Sequence, residues 1–143
     1  MRKLFISLMC LFIVGCAGTT ITPTPTNTVL ATAAGQIFGY KFAQNNPSLV
    51  PSALADWTML ASGASTQDII TLVIARFSKQ ASVDPLLTLE MTNIIQLVTI
   101  NTTSPPIFDT VLIQDAAKGV VQGIQLYQST VSTSGVEKAK LFH

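Results

Sequence analysis

Between residues 28 and 128 apolar positions recur every three or four residues, and the runs are cut by helix-start and helix-stop residues. A first helix is expected over 28–44, with Asn27 as its N-cap and Asn45-Asn46-Pro47 as its break. Pro51 suits the first turn of a second helix, PSALADWTMLAS, which Gly63 stops. Ser65, followed three residues on by Asp68, has the spacing of a capping box and opens a third helix through Ala81. Asp84-Pro85 pairs a capping side chain with proline at the first helical position and opens a fourth, to about residue 100. Ser104-Pro105 repeats the device for a fifth, to about residue 128. Five helices joined by short capped turns predict an all-α fold, a compact bundle. The fourth segment is rich in Ile, Val and Thr, so a strand is the main competing reading there.

The faces follow from a rotation of about 100° per residue. The third helix places Ile69, Ile70, Val73 and Phe77 on one side, with Ile74 at the edge and Gln67, Thr71 and Ser78 opposite. The fourth is apolar nearly all round, sparing the Thr88, Thr92, Gln96, Thr99 stripe and Glu90, and is therefore expected to be the central element. In the first helix Ala31, Gly35, Gly39 and Ala43 recur every four residues, flanked by Phe38 and Phe42. Ala116, Gly119 and Gly123 form a similar strip in the fifth, beside Phe108, Leu112 and Leu126. Glycine inside a helix costs about 1 kcal/mol relative to alanine, so four of them need a reason. Close backbone approach supplies one. Either the first helix packs on the fifth within the monomer, or the 28–44 ladder is a seam for self-association or for a membrane-embedded partner.

The N-terminus follows another pattern. Two basic residues, Arg2 and Lys3, precede the uncharged run LFISLMCLFIV. That run falls short of the roughly 20 apolar residues a membrane-spanning helix needs and reads as a secretory signal. Its last residues, Ile13-Val14-Gly15-Cys16, resemble the lipobox of bacterial lipoproteins, with isoleucine where leucine is commonest. The resemblance implies cleavage between Gly15 and Cys16, diacylglycerol on the Cys16 thiol and an anchor in the membrane. Ala17, in place of the aspartate that marks inner-membrane retention in that family, implies the outer membrane where the source has two membranes. Cys10 would leave with the signal, so the mature domain has no disulfide framework to read. Residues 17–27, AGTTITPTPTN, read as a Thr/Pro spacer in extended polyproline form. The expected organisation is therefore a signal peptide (1–15), a lipidated cysteine with a flexible linker (16–27), a helical domain (28–128) and a loose tail (129–143).

Composition narrows the function. Removing residues 1–15 leaves six Lys and Arg against seven Asp and Glu. This balance offers no electrostatic case for nucleic acid or for an anionic surface. Charged residues make up 10% of the chain, well below the roughly 25% of ordinary soluble domains. The one histidine, His143, is the last residue, with nothing to orient it as a base. Asp56, Asp68, Asp84, Glu90, Asp109, Asp115 and Glu137 are scattered, with no metal-ligand spacing. Glu90 alone falls on an apolar flank, beside Leu86, Ile94 and Leu97. There it is either an ion-pair partner for Arg76 or Lys79 or a lone acid–base carboxylate. GQIFG lies inside a helix rather than after a strand, so it is no phosphate loop. Tyr40, Trp57 and Tyr127 are isolated aromatics suited to core or rim. No enzyme and no cofactor is expected. The reading is an envelope-anchored lipoprotein whose helical domain engages an envelope protein as a binding or structural accessory. A carrier of a small hydrophobic ligand, or a phage- or plasmid-type exclusion or immunity lipoprotein, stays open beside it.

Overall fold

The computed structural model describes residues 24–102 and 104–140. The described chain is all-α apart from one short hairpin. In chain order it forms α1 (Pro25–Asn45), a 3-10 turn (Pro47–Leu49), α2 (Val50–Ala61), α3 (Gln67–Ala81) and α4 (Pro85–Val98). Then come β1 (Thr99–Asn101), β2 (Ile107–Phe108) and α5 (Thr110–Lys140). No helix among the described residues is long and apolar enough to cross a membrane. The signal, the lipobox and most of the spacer lie outside the described residues, as does His143.

The helix starts correct the sequence reading at three places, each for a local reason. Thr24, not Asn27, caps α1: its Oγ1 accepts from the Asn27 backbone N–H at 3.3 Å, with proline in the first turn. The helix thus begins inside the stretch assigned to the spacer. Thr66, not Ser65, caps α3, while the Ser65 hydroxyl donates to the Met59 carbonyl at 3.3 Å. The fifth helix does not open at Ser104-Pro105. Those residues precede β2, and Asp109 caps α5 instead, its Oδ1 accepting from the Val111 and Leu112 amides at 2.9 and 3.0 Å. The Asp84-Pro85 start of α4 is as expected: Asp84 Oδ1 accepts from Leu86 and Leu87, and its Oδ2 accepts from Asn45 at the end of α1. Gly63, at φ +78°, ends the α2 region in the left-handed conformation that glycine tolerates.

Two boundaries also move. α4 yields to β1 at Thr99, where the Ile/Thr content wins over helix for three residues. β1 pairs antiparallel with β2, Thr99 opposite Phe108 and Asn101 opposite Ile107 with an irregularity between. The Asp109 amide extends the ladder to the Val98 carbonyl at 2.7 Å. At the far end α5 runs past Gln128 to Lys140. Its Ser/Thr segment is weakly helix-forming, but Ser129, Thr130, Ser132 and Thr133 each donate a hydroxyl to a carbonyl three or four residues back.

The central pair is α1 with α5, which make the most extensive contact in the molecule. The expectation that the fourth segment would be central fails: Leu86 and Leu89 of α4 stand 44% and 55% exposed. In α3, Ile74 joins Ile70, Val73 and Phe77 in the core, while Ile69 sits at the surface. On the inner side of α1, Phe38 and Phe42 meet Trp57 of α2 and Phe77 of α3, with ring centroids 5.2 to 6.5 Å apart in tilted and edge-on arrangements. All four rings are buried, and the Trp57 indole N–H has no hydrogen-bond partner among the described residues. The buried apolar residues form one continuous cluster contributed by all five helices.

Candidate functional site

Ala31, Gly35, Gly39 and Ala43 are buried along one side of α1, and Gly119 and Gly123 along one side of α5. The structure brings these two strips together within the chain. A methyl built on Gly35 would enter the Ala116 carbonyl, and one on Gly39 the Val120 carbonyl. From the other side, methyls on Gly119 and Gly123 would enter the carbonyls of Thr32 and Gln36. A step of four along α1 matches a step of four in the same direction along α5, so the helices run parallel. Helices packed through ordinary side chains keep their axes about 8–10 Å apart. Here backbone meets backbone, and the glycine hydrogens face the opposing oxygens in the manner of weak Cα–H···O contacts. Since the ladder face is filled by α5, association of two copies through it would require α5 to move away.

The opposite side of α1 carries an exposed apolar strip, with Gln44 within it and Gln36 and Lys41 at its edges. At about 100° per residue, Val29, Leu30, Ala33, Ile37 and Tyr40 fall within about 100° of arc, facing away from Ala31, Gly35, Phe38 and Phe42. Val29, Leu30 and Ile37 are 66%, 48% and 50% exposed. Between this strip and α5 lies an open groove of about 430 Å³ lined by Ala33, Gln36, Ile37, Tyr40, Lys41 and Leu126. Tyr40 and Tyr127 stack edge-on beside it, centroids 5.6 Å apart. The Lys41 ammonium donates to Gln44 at 3.2 Å on the surface. The sequence reading attended to the small-residue ladder and missed this strip. The available signal was the set Val29, Leu30, Ala33 and Ile37 on the side away from the ladder.

The five described aspartates serve structure. Asp84 and Asp109 cap helices, and Asp68 lies in the first turn of α3, where the helix dipole favours a negative charge. Asp56 joins Arg76 across α2 and α3 at 2.5 Å, and Asp115 accepts from Lys118 at 2.9 Å. Such partly exposed pairs contribute about 0–1 kcal/mol each. Glu90 is half-buried, and among the described residues it pairs with neither Arg76 nor Lys79, the two partners expected for it; Arg76 pairs with Asp56 instead. Among the described residues no three of His, Cys, Asp and Glu are grouped so as to hold a metal ion. Gln67, assigned to the polar side of its helix, instead clamps β2: its Nε2 donates to the Phe108 carbonyl at 2.9 Å and its Oε1 accepts from the Phe108 amide at 3.1 Å.

With this geometry in place, the chain was compared with protein-family models, with curated proteins and with solved structures, and none of the three gives a match. The candidate site is therefore the outward strip of α1 with its groove. Gly15 and Cys16, the residues the lipobox resemblance singles out, lie outside the described residues.

Proposed function

We propose that the chain is an envelope lipoprotein, anchored through lipid on Cys16, whose helical domain is a non-catalytic binding or structural accessory module. The observation that carries this reading is the run Ile13-Val14-Gly15-Cys16 behind a basic start and an uncharged apolar stretch. Only eight residues lie between the cysteine and the start of the helical domain at Pro25. Two or three acyl chains hold a protein at a bilayer far more firmly than one, at about 0.8 kcal/mol per buried methylene. A domain on so short a tether acts where the membrane is. Ala17 favours the outer membrane as that place, and an envelope protein is the partner expected there.

The test is Cys16→Ser expressed in a bacterial envelope alongside the parent, with an alkyne-bearing fatty acid supplied to the cells. The parent is expected to take up the fatty acid, to lose its first 15 residues and to fractionate with membranes. C16S is expected to take up none and to keep its signal. Equal labelling and equal trimming of the two proteins would overturn the proposal.

A further inference from the structure

The bundle covers one side of α1, and the other side carries an exposed apolar strip, with Gln36, Lys41 and Gln44 among and beside it. Ile37 of α1 and Leu126 of α5 line the groove about half exposed, and Val29 and Leu30 stand 66% and 48% exposed nearer the start of α1. Exposed apolar side chains gathered on one strip, rather than scattered singly, mark a contact surface. We infer that the second cover is a lipid surface: the outward strip of α1 and its groove lie against the acyl–headgroup boundary of the bilayer that holds the Cys16 lipid. The inference rests on the anchored reading above.

Chain length supports this occupant. Residues 17–24 separate Cys16 from α1, and eight residues reach at most about 30 Å when fully extended. Val29, Leu30 and Ala33 occupy the half of α1 next to that tether and Ile37 lies just past its middle, so among the described residues Val29 and Leu30 are the exposed large apolar side chains closest to the anchor along the chain. Charge agrees. Lys41 is the one charged residue in α1, and its long stem lets the ammonium reach headgroups while the methylenes stay apolar. No carboxylate on α1 would have to leave water. Tyr40 and Tyr127 flank the groove, and hydroxyl-bearing rings suit a boundary that is apolar on one side and wet on the other. The strip is small for a free protein to hold a membrane. A tether changes that, since it turns the contact into an intramolecular event at high effective concentration. A second copy of the chain is the rival occupant, and the tether gives it no comparable advantage.

The experiment uses the full chain, processed and acylated in a bacterial envelope, carrying L30C, I37C or, as a control on α3, L72C. Leu72 is 61% exposed, so its label reports an apolar surface position away from α1. With Cys10 removed and Cys16 acylated, the introduced thiol is the single site for an NBD fluorophore. The purified proteins are placed in vesicles of phosphatidylethanolamine and phosphatidylglycerol, with or without a lipid bearing a nitroxide near the top of its acyl chain. NBD at 30 and 37 is expected to be quenched several-fold more strongly than at 72. Equal quenching at all three positions, or none at 30 and 37 while Cys16 is acylated, overturns the lipid contact and leaves the anchor standing. A disulfide-linked dimer through I37C without lipid quenching also overturns it, in favour of a second copy. Absence of acyl groups on Cys16 fails the anchored reading itself, and the contact inferred from it.

Discussion

At Gly39 two opposed effects can be weighed directly. Alanine in place of a helical glycine gains about 1 kcal/mol of helix propensity. The added methyl, however, would strike the Val120 carbonyl and lie 2.9 Å from the Val120 Cα, all of it backbone that no rotamer change can move. Forcing extra volume into a packed site costs about 1–3 kcal/mol, and here α1 and α5 must separate along a seam shared with Gly35, Gly119 and Gly123. The steric effect is the larger. Gly39→Ala is expected to lose up to about 2 kcal/mol net, read as a lower urea midpoint with an unchanged m-value. An equal or higher midpoint would show that the backbones do not meet there. The spacing of these glycines was legible because four-residue repeats define one helix face. Their partner carbonyls were not, since the register of α1 on α5 depends on everything folded between them. Gln67 was illegible for a related reason: its partner Phe108 lies 41 residues on, and a glutamine on a polar face reads as solvated.

Element identity came through more clearly than element ends. All five helices exist where the apolar period placed them, yet three caps fall on a neighbouring or nearby polar residue. Thr24 competes with Asn27, Thr66 with Ser65, and Asp109 with Ser104. Each of these side chains can accept from a backbone amide, so local sequence alone ranks them poorly. At Asp109 the local capping bonds are joined by tertiary pairing. The Asp109 amide is drawn to the Val98 carbonyl, which holds the preceding residues extended and postpones the helix. This has a measurable consequence for α5. Asp109→Ala removes acceptors for two amides at the start of the helix that pairs with α1, and should lower stability by about 1–2 kcal/mol. Asp109→Asn keeps a capping oxygen and should retain most of it. Ser104→Ala should stay within about 0.5 kcal/mol of the parent. Thermal midpoints followed by circular dichroism check all three; a loss at Ser104 that matches Asp109→Ala would return the helix start to Ser104-Pro105.

Taken as one body, the bundle has two kinds of packing: a backbone seam between α1 and α5, and an aromatic cluster joining α1, α2 and α3. Phe77 sits at the centre of the second, with its ring 5.2 Å from both Phe42 and Trp57 and 6.5 Å from Phe38. The two regions share α1. Gly35 and Gly39 belong to the seam, Phe38 and Phe42 to the cluster, and they alternate along the same turns. One region therefore cannot open without disturbing the helix that holds the other, and a single transition is expected. Trp57, the only tryptophan in the chain, reports on the cluster; far-ultraviolet dichroism is dominated by the long helices of the seam. In urea the two signals should share one midpoint. Phe77→Ala should move both together by a loss of about 3–5 kcal/mol, a large fraction of the roughly 5–15 kcal/mol typical of a domain. If Trp57 fluorescence instead shifts at lower urea than the dichroism, the cluster melts while the seam persists. In that case α1 is not the shared spine that the alternation of its glycines and phenylalanines makes it.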